Sequence, residues 1–111
     1  MELKNWKLFH DEKQQGLALN FPEAVAPDAR DAVVPGLAQT VWPGKHGVFW
    51  YWTEFAPFPL KAHQRAELRF GAADYAADVW LNGKKVGRHE GGETPFRFDV
   101  TGFLKDRNLL C

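Results

Sequence analysis

The fold is decided by the stretch Asp78-Val79-Trp80-Leu81-Asn82-Gly83-Lys84-Lys85-Val86-Gly87. Val79 and Leu81 alternate with Asp78 and Trp80, which is the period-two pattern of a β-strand. An Asn-Gly pair between two such runs is a strong hairpin signal, because a type I′ turn needs a positive φ at both central positions. The stretch therefore predicts two antiparallel strands joined by a two-residue turn.

Further short strands are predicted on both sides of this hairpin, separated by turn residues at regular intervals. Residues 48–55 form the clearest of them, because both faces carry large side chains, as in an inner strand that is covered on each side. A polar turn is predicted at residues 11–16. The remaining strands are expected at residues 5–9, 17–20, 31–34, 66–70, 96–100 and 108–111.

Helices are not expected, because no window keeps apolar residues at the spacing of a helix face. Seven prolines and ten glycines divide the chain into short runs. Residues 22–32 contain two prolines and two aspartates, and are read as a loop with at most one short turn. The pattern as a whole predicts an all-β sandwich or barrel.

Length and charge exclude several classes of protein. The 111 residues suit a single domain and are too few for a (β/α)₈ barrel, which takes about 250. The formal net charge is zero, so the electrostatic footprint of a nucleic-acid or membrane-surface binder is absent. Residues 1–20 show no apolar block of a secretory signal, and no stretch is long and apolar enough to span a membrane. The cellular compartment stays open.

The chain carries a single cysteine, Cys111, at its last position, so no intramolecular disulfide can form. Asn108-Leu109-Leu110-Cys111 reads as a strand that has only begun. A chain end inside an apolar run leaves backbone groups unpaired. We therefore expect residues 1–111 to be one domain that is truncated at its C-terminus and lacks its final strands.

A series of motifs in a fixed order gives the chain a family likeness. The motifs are Trp6-Lys7-Leu8-Phe9, Val34-Pro35-Gly36, Gly47-Val48-Phe49-Trp50-Tyr51, Phe55, Leu68-Arg69-Phe70, Asp78-Val79-Trp80-Leu81-Asn82-Gly83, Val86-Gly87-Arg88-His89-Glu90-Gly91-Gly92, Thr94-Pro95-Phe96 and Phe98-Asp99-Val100-Thr101. In this order they resemble the N-terminal sugar-binding domain of family 2 glycoside hydrolases, the group of β-galactosidases, β-glucuronidases and β-mannosidases. The likeness runs from about residue 5 to residue 110.

The resemblance implies a jelly-roll β-sandwich, similar to galactose-binding domains, that braces a catalytic barrel. It implies a parent enzyme that hydrolyses terminal β-O-glycosides, with its two catalytic glutamates in the barrel, so no catalytic residue is expected in this chain. In the β-galactosidase branch an asparagine before the glycine–aromatic pair contacts substrate. Residues 42–47 hold no asparagine, so that contact is not carried over to this chain.

The candidate sugar-binding residues lie in loops or on outward strand positions. Aromatic rings suit the apolar faces of a pyranose, and basic side chains can reach its hydroxyl groups. The candidates are Trp42, Lys45, His46, Tyr75, Arg88 and His89. Trp50, Trp52 and Trp80 are expected instead to pack against the other sheet or a neighbouring domain. The expected ligand is a β-galactoside, β-glucuronide or β-mannoside, and the expected protein partner is the rest of the parent enzyme.

Metal and cofactor chemistry is not predicted. The four histidines are widely spaced without the pairing of a zinc site. No dense acidic loop resembles an EF-hand, and the absence of serine excludes a Ser–His–Asp triad. A catalytic carboxylate pair is not expected either, because most acidic residues fall at outward or loop positions.

Two further hypotheses stay open. The chain could be a free-standing carbohydrate-binding module without an attached enzyme, or a structural interaction domain that uses an exposed tryptophan face. An open sheet edge could also pair with a second copy to form a homodimer.

Overall fold

Eight β-strands carry the fold in the computed structural model, which describes residues 1–71, 73, 75–92 and 94–111. The strands are β1 (Trp6–His10), β2 (Arg30–Ala32), β3 (Phe49–Phe55), β4 (Glu67–Phe70), β5 (Ala76–Leu81), β6 (Lys84–Glu90), β7 (Phe96–Asp99) and β8 (Asn108–Leu110). A four-residue helix, α1 (Ala38–Val41), precedes β3, and a 3₁₀ turn, Thr101–Phe103, follows β7.

The strands form two antiparallel sheets. The larger has the order β2-β1-β3-β8-β5-β6, and the smaller consists of β4 and β7. The strand pairs in both sheets are antiparallel. The predicted all-β, antiparallel sandwich is thus confirmed. β2 and β6 are the outer strands of the larger sheet, so a site at β2 is separated from one at β6 by four strands.

The main core lies between the two sheets. Val79, Leu81 and Leu110 project from β5 and β8 of the large sheet and are buried. Phe70 and Phe98, on β4 and β7, pack against them from the small sheet. The outward alternation predicted for residues 66–70 follows from this arrangement, because every second residue faces water.

A second core covers the opposite face of the large sheet. Trp52 of β3 has no exposed surface and packs under Phe21 and Ala26, which belong to the loop after β1. The Trp52 indole Nε1 donates to the Phe21 carbonyl over 2.7 Å, so this buried polar atom is satisfied. Thr53, the next residue, is buried on the other face. The prediction that this strand is covered on both sides is therefore confirmed.

The hairpin between β5 and β6 has the predicted turn. Asn82 and Gly83 have φ values of 54° and 81°, the left-handed conformations that a type I′ turn requires. Val79 is opposite Gly87, whereas Trp80 is opposite Lys85, so β6 carries one extra residue in a β-bulge. A Cβ atom at Gly87 would collide with the Phe98 ring. Close packing of the two sheets therefore requires a glycine at this position.

The prediction of a strand at residues 17–20 is wrong. Leu17 and Leu19 are 68% and 57% exposed, and the segment forms successive turns. The amide of Leu19 donates to the Gln15 carbonyl, and that of Phe21 to the Gly16 carbonyl. The alternation Leu-Ala-Leu imitates a strand, but local hydrogen bonds satisfy the backbone here and the leucines face outward.

Two smaller differences lie near β2. The strand predicted at 31–34 ends at Ala32, and Val33 beyond it is 82% exposed. The helix α1 lies where no helix was predicted, because four residues are too few to display a helical period. The other predicted strands agree with the structure within two residues at each end, except that β6 continues to Glu90.

Candidate functional site

The Trp42 side chain is held in place by contacts to β1. Trp42 ends helix α1, and its indole Nε1 donates to the Leu8 carbonyl over 3.0 Å. The edge-to-face contact with Phe9 has a centroid distance of 5.6 Å and an interplanar angle of 84°. The ring is therefore half-buried and fixed, a preorganised aromatic platform at the end of the sheet next to β2.

One face of this platform is already covered. The guanidinium carbon of Arg30 lies 3.6 Å from the centroid of the Trp42 ring, a cation–π contact. Arg30 Nη1 also donates to the carbonyl of Val41 over 2.9 Å. A sugar therefore cannot stack on this face of Trp42 unless Arg30 moves. Sequence reasoning did not single out Arg30, because residues 30 and 42 are twelve positions apart and no local pattern connects them.

Lys45 and His46 line a cavity of about 300 Å³ beside the end of β1. The imidazole Nε2 of buried His10 donates to the backbone carbonyl of His46 over 2.7 Å. This bond ties the 42–47 loop to β1 while the His46 side chain remains exposed. The Lys45 carbonyl accepts from Gln39 Nε2 over 2.9 Å, which anchors the same loop to α1.

A larger groove of about 680 Å³ adjoins this cavity and shares Lys45 with it. Its lining includes Arg30, Trp42 and residues of the turn after β1. Three of the predicted site residues, Trp42, Lys45 and His46, are thus brought together. They form one surface region with Arg30, which we call the β1–β2 groove.

The other three candidates lie elsewhere. Arg88 and His89 belong to β6, the outer strand at the far edge of the large sheet, and Tyr75 precedes β5. The Tyr75 side chain is 67% exposed, and its carbonyl accepts from the Gly91 amide over 2.8 Å. These residues therefore do not join the β1–β2 groove.

Arg88 is engaged by neighbouring carboxylates. It donates to Asp78 over 2.7 Å and to Glu90 over 3.0 Å. These hydrogen bonds raise the pKa of Arg88 above its ordinary value. At Asp78, burial would raise the pKa, but hydrogen bonds from Lys85 and Arg88 outweigh it and hold the pKa of the carboxyl below its ordinary value. The cluster is a surface ion-pair network.

His89 joins the two sheets. Its ring stacks on Phe96 of β7 with a centroid distance of 4.2 Å and an interplanar angle of 13°. Among the residues that the structure describes, its buried Nε2 atom has no hydrogen-bond partner. The ring packing indicates that His89 holds the small sheet against β6.

Trp50, Trp52 and Trp80 pack within the domain, but not against the other sheet. Trp50 stacks on Trp80 at 5.4 Å and lies against Phe21 at 5.6 Å between ring centroids. Trp50 and Trp52 belong to the second core, with Phe21 and Ala26 of the loop after β1. A loop of the same chain thus covers them, rather than the other sheet, so Trp50 and Trp52 do not form an open sugar platform.

Within residues 1–71, 73, 75–92 and 94–111 no group of three or more His, Cys, Asp or Glu side chains is arranged to hold a metal ion. None of the helices described there has the length and hydropathy needed to cross a membrane.

The fold and the groove define a galactose-binding-like β-domain, and comparison with known proteins places it in a family. A family model described as "Glycosyl hydrolase 2 galactose-binding domain-like" matches residues 36–111. The chain belongs to this family, and the predicted family 2 resemblance is confirmed.

Curated relatives agree with this assignment. A β-glucuronidase of Canis lupus familiaris is 44% identical over 67 residues, which cover 56% of this chain and 10% of the relative. A β-galactosidase of Thermoanaerobacter pseudethanolicus is 36% identical over 62 residues, covering 56% of this chain and 8% of the relative. The chain thus spans about a tenth of the curated relatives it matches.

Solved structures extend the likeness to nearly the whole chain. A β-glucuronidase of an uncultured Clostridium sp. superposes with a TM-score of 0.83 at 33% identity, covering 98% of this chain and 20% of that one. A β-glucuronidase of Bifidobacterium dentium, complexed with coumarin-3-O-glucuronide, gives 0.78 at 36% identity, covering 95% and 18%. The chain corresponds to one domain of such enzymes.

Proposed function

We propose that this chain is the N-terminal sugar-binding-type domain of a family 2 glycoside hydrolase and braces the catalytic barrel of the parent enzyme. The observation that carries the proposal is the match to the family over residues 36–111, together with a structural likeness that covers 98% of the chain. The parent enzyme hydrolyses terminal β-O-glycosides by double displacement, with the paired carboxylates in its barrel.

Among the three sugars considered, the proposed substrate of the parent is a β-glucuronide. Relatives named as β-glucuronidases occur among both the curated proteins and the solved structures. A β-galactosidase also occurs, but residues 42–47 lack the asparagine of that branch. The β-galactoside and the β-mannoside therefore serve as the comparison substrates in the experiment.

The bracing role needs a surface for the rest of the enzyme. Val33 and Leu37 are 82% and 74% exposed and lie close together in sequence, between β2 and α1. Exposed apolar side chains are typical of interaction sites where they cluster on a surface. These two residues are therefore the candidates for contact with another domain of the parent chain.

Sugar contact by the domain itself is proposed for the β1–β2 groove, through Lys45, His46 and the exposed edge of Trp42. Both basic side chains are exposed there and line the cavity or the groove. Tyr75, Arg88 and His89 remain the second proposed contact region, at the opposite edge of the sheet. Of these, exposed Tyr75 is the residue most open to a ligand.

The homodimer through an open sheet edge stays a prediction. β6 is the longer outer strand of the large sheet, with seven residues against three in β2, so pairing of two β6 strands is the geometry to test. Its charged residues Lys84, Lys85, Arg88 and Glu90 are typical of edges that resist pairing. Multi-angle light scattering would report a dimer mass if the pairing occurs and a monomer mass if it does not.

The experiment compares hydrolysis by the 111-residue chain and by the longest natural polypeptide that contains it. Both are offered chromogenic 4-nitrophenyl β-D-glucuronide, β-D-galactoside and β-D-mannoside. We expect no turnover by the chain alone and preferential hydrolysis of the glucuronide by the longer polypeptide. Turnover by the pure 111-residue chain, or an inactive longer polypeptide without a barrel, would overturn the proposal.

A further inference from the structure

The β1–β2 groove contains a mixture of charges that a neutral sugar site does not need. Arg30, Lys45 and Lys13 line it together with three carboxylates, Asp11, Glu12 and Asp28. The Asp11 carboxylate already accepts from the Gln15 and Gly16 amides and from the Trp50 indole, so Asp28 and Glu12 are the two that remain for a ligand. The volume of about 680 Å³ falls within the ordinary range of small-molecule sites. The cations are therefore placed where they can meet a ligand of saccharide size.

Arg30 is held in one conformation before any ligand arrives. Its guanidinium lies 3.6 Å from the Trp42 ring centroid, and Nη1 donates to the Val41 carbonyl over 2.9 Å. Trp42 in turn is fixed by its bond to the Leu8 carbonyl. A planar guanidinium fixed in this way loses little further freedom on binding, which favours affinity.

The charge of Arg30 is not neutralised within the described part of the chain. Other surface arginines have carboxylate partners: Arg65 pairs with Asp99 at 2.6 Å and Arg88 with Asp78 at 2.7 Å. Arg30 forms no such pair with a described carboxylate, although its neighbour Asp31 pairs with Lys7. One of its five N–H groups donates to the Val41 carbonyl, and the other four are available to donate to a ligand.

We propose that the β1–β2 groove is an accessory binding site for a uronic acid, with Arg30 as the group that recognises the sugar carboxylate. Arg30 donates to the carboxylate, Lys45 adds a second positive charge, and Asp28 and Glu12 accept from sugar hydroxyl groups. The inference rests on the proposed function in that it gives the domain a sugar ligand, and it deepens that function by naming the ligand's chemistry.

The two acidic residues distinguish this ligand from other anions. A doubly charged phosphate or sulfate cluster would meet the like charges of Asp28 and Glu12, whereas sugar hydroxyls provide donors for them. A singly charged carboxylate on a polyhydroxylated ring therefore fits the groove better. The same chemistry occurs in a free uronide and in a uronic residue within a glycan.

The test uses two probes that differ only at C6, methyl β-D-glucuronide and methyl β-D-glucoside. The ¹⁵N-labelled 111-residue chain is titrated with each, and the shifts of the Trp42 indole N–H and Arg30 Nε–H signals are followed. A tetrasaccharide that contains glucuronic acid is the third probe. If it binds more tightly than the monosaccharide, the ligand is a uronic residue within a glycan. Equal affinity identifies the free uronide, and both outcomes support the site.

Three variants complete the design. Arg30→Gln should weaken binding of the glucuronide by about tenfold, since one charge-assisted bond is lost, and Lys45→Gln should weaken it less. Arg107→Gln removes another exposed cation, which lies outside the groove and has only a 3.7 Å contact to Glu54, and should leave glucuronide binding unchanged. Thermal melts confirm that each variant is folded.

The proposal is overturned if the glucoside binds as tightly as the glucuronide, if neither probe shifts the Trp42 signal, or if folded Arg30→Gln binds like the parent chain. These outcomes leave the hydrolase assignment intact, because the 4-nitrophenyl glycoside assay measures the barrel of the longer polypeptide. Conversely, failure of that assay would not alter a glucuronide titration of this chain.

Discussion

The carboxylate of Asp11 accepts a hydrogen bond from the indole N–H of Trp50 over 2.9 Å, and this bond connects the turn after β1 to the start of β3. Asp11 is only 5% exposed and also accepts from the Gln15 amide over 3.0 Å and the Gly16 amide over 2.8 Å. One side chain thus fixes the start of the loop that covers the second core, the cluster around Trp52.

Replacing this acceptor should destabilise the domain. Asp11→Ala leaves the Gln15 and Gly16 amides and the Trp50 indole without their partner, and we expect a loss of about 2–4 kcal/mol in the free energy of unfolding. Urea denaturation followed by tryptophan fluorescence measures it. Asp28→Asn, in an exposed loop position, is the control and should change stability by less than about 0.5 kcal/mol. Equal effects of the two changes would refute the anchoring role.

Gly16 is required by the same anchor for a steric reason. A Cβ atom at Gly16 would collide with the Trp50 indole, whereas one at Gly102 meets no atom within 4 Å. Gly16→Ala should therefore cost about 1–3 kcal/mol, the typical penalty of overpacking. Gly102→Ala should be close to neutral. Thermal unfolding of both variants tests this, and a neutral Gly16→Ala would show that the loop can move away without cost.

Asn108 holds β8 through a buried network. Its Oδ1 atom accepts from the Lys105 amide over 2.8 Å and from Asn82 Nδ2 over 2.9 Å, and its Nδ2 atom donates to the Lys105 carbonyl over 2.8 Å. Asn108→Asp keeps the shape but places an acceptor against that carbonyl, so we expect a loss of about 2–4 kcal/mol. The same change at exposed Asn5 is the control. A loss no larger than in the Asn5 variant would contradict the network.

Asp99 should give the domain part of its acid sensitivity. Arg65 and the backbone and side chain of Thr101 donate to Asp99 and hold its pKa well below the ordinary value. A carboxyl whose folded pKa is lowered contributes stability above its unfolded pKa of about 3.9 and loses it as the pH falls toward the folded pKa. Asp99→Asn should therefore be less stable at neutral pH and show a shallower decline in acid. The urea midpoints of both chains, measured from neutral pH to about pH 3, test this expectation. Parallel curves of midpoint against pH for the two chains would contradict the role of Asp99.

The Cys111 thiol should react slowly in the folded chain. Burial raises the pKa of Cys111 to about 12, and the thiolate is the reactive form. At pH 8 we expect alkylation by iodoacetamide to be slower than in urea-unfolded chain by on the order of a hundredfold or more. Mass spectrometry against time measures the two rates. Comparable rates would show that the thiol is open to solvent.

The parts of the fold that could be predicted from the sequence are those that depend on a pattern within a few consecutive residues. Asn82-Gly83 predicts its turn because few other residues accept two successive left-handed conformations. The strand at 48–55 could be predicted because large side chains alternate between its two faces over its whole length. The error at 17–20 has the same origin, since a short apolar alternation cannot tell a strand from turns whose leucines remain exposed.

The candidate site was less predictable because it depends on contacts between distant segments. Trp42, Lys45 and His46 are neighbours in sequence and were found together. Their connection to Arg30 arises only when α1 folds back over β2. Tyr75, Arg88 and His89 lie at the other edge of the large sheet, a separation from the groove that no local sequence pattern could show, and ligand contact by these three residues stays a prediction.

We propose that this chain can replace the corresponding structural domain of a related family 2 glycoside hydrolase. The most direct measurement grafts residues 1–110 in place of the corresponding segment of the uncultured Clostridium sp. β-glucuronidase, which superposes with a TM-score of 0.83. The same enzyme lacking that segment is the reference. We predict that the graft hydrolyses 4-nitrophenyl β-D-glucuronide with kcat/KM within about tenfold of the intact enzyme, and that Asp11→Ala in the graft lowers its melting temperature. A folded graft no more active than the deletion would contradict the account.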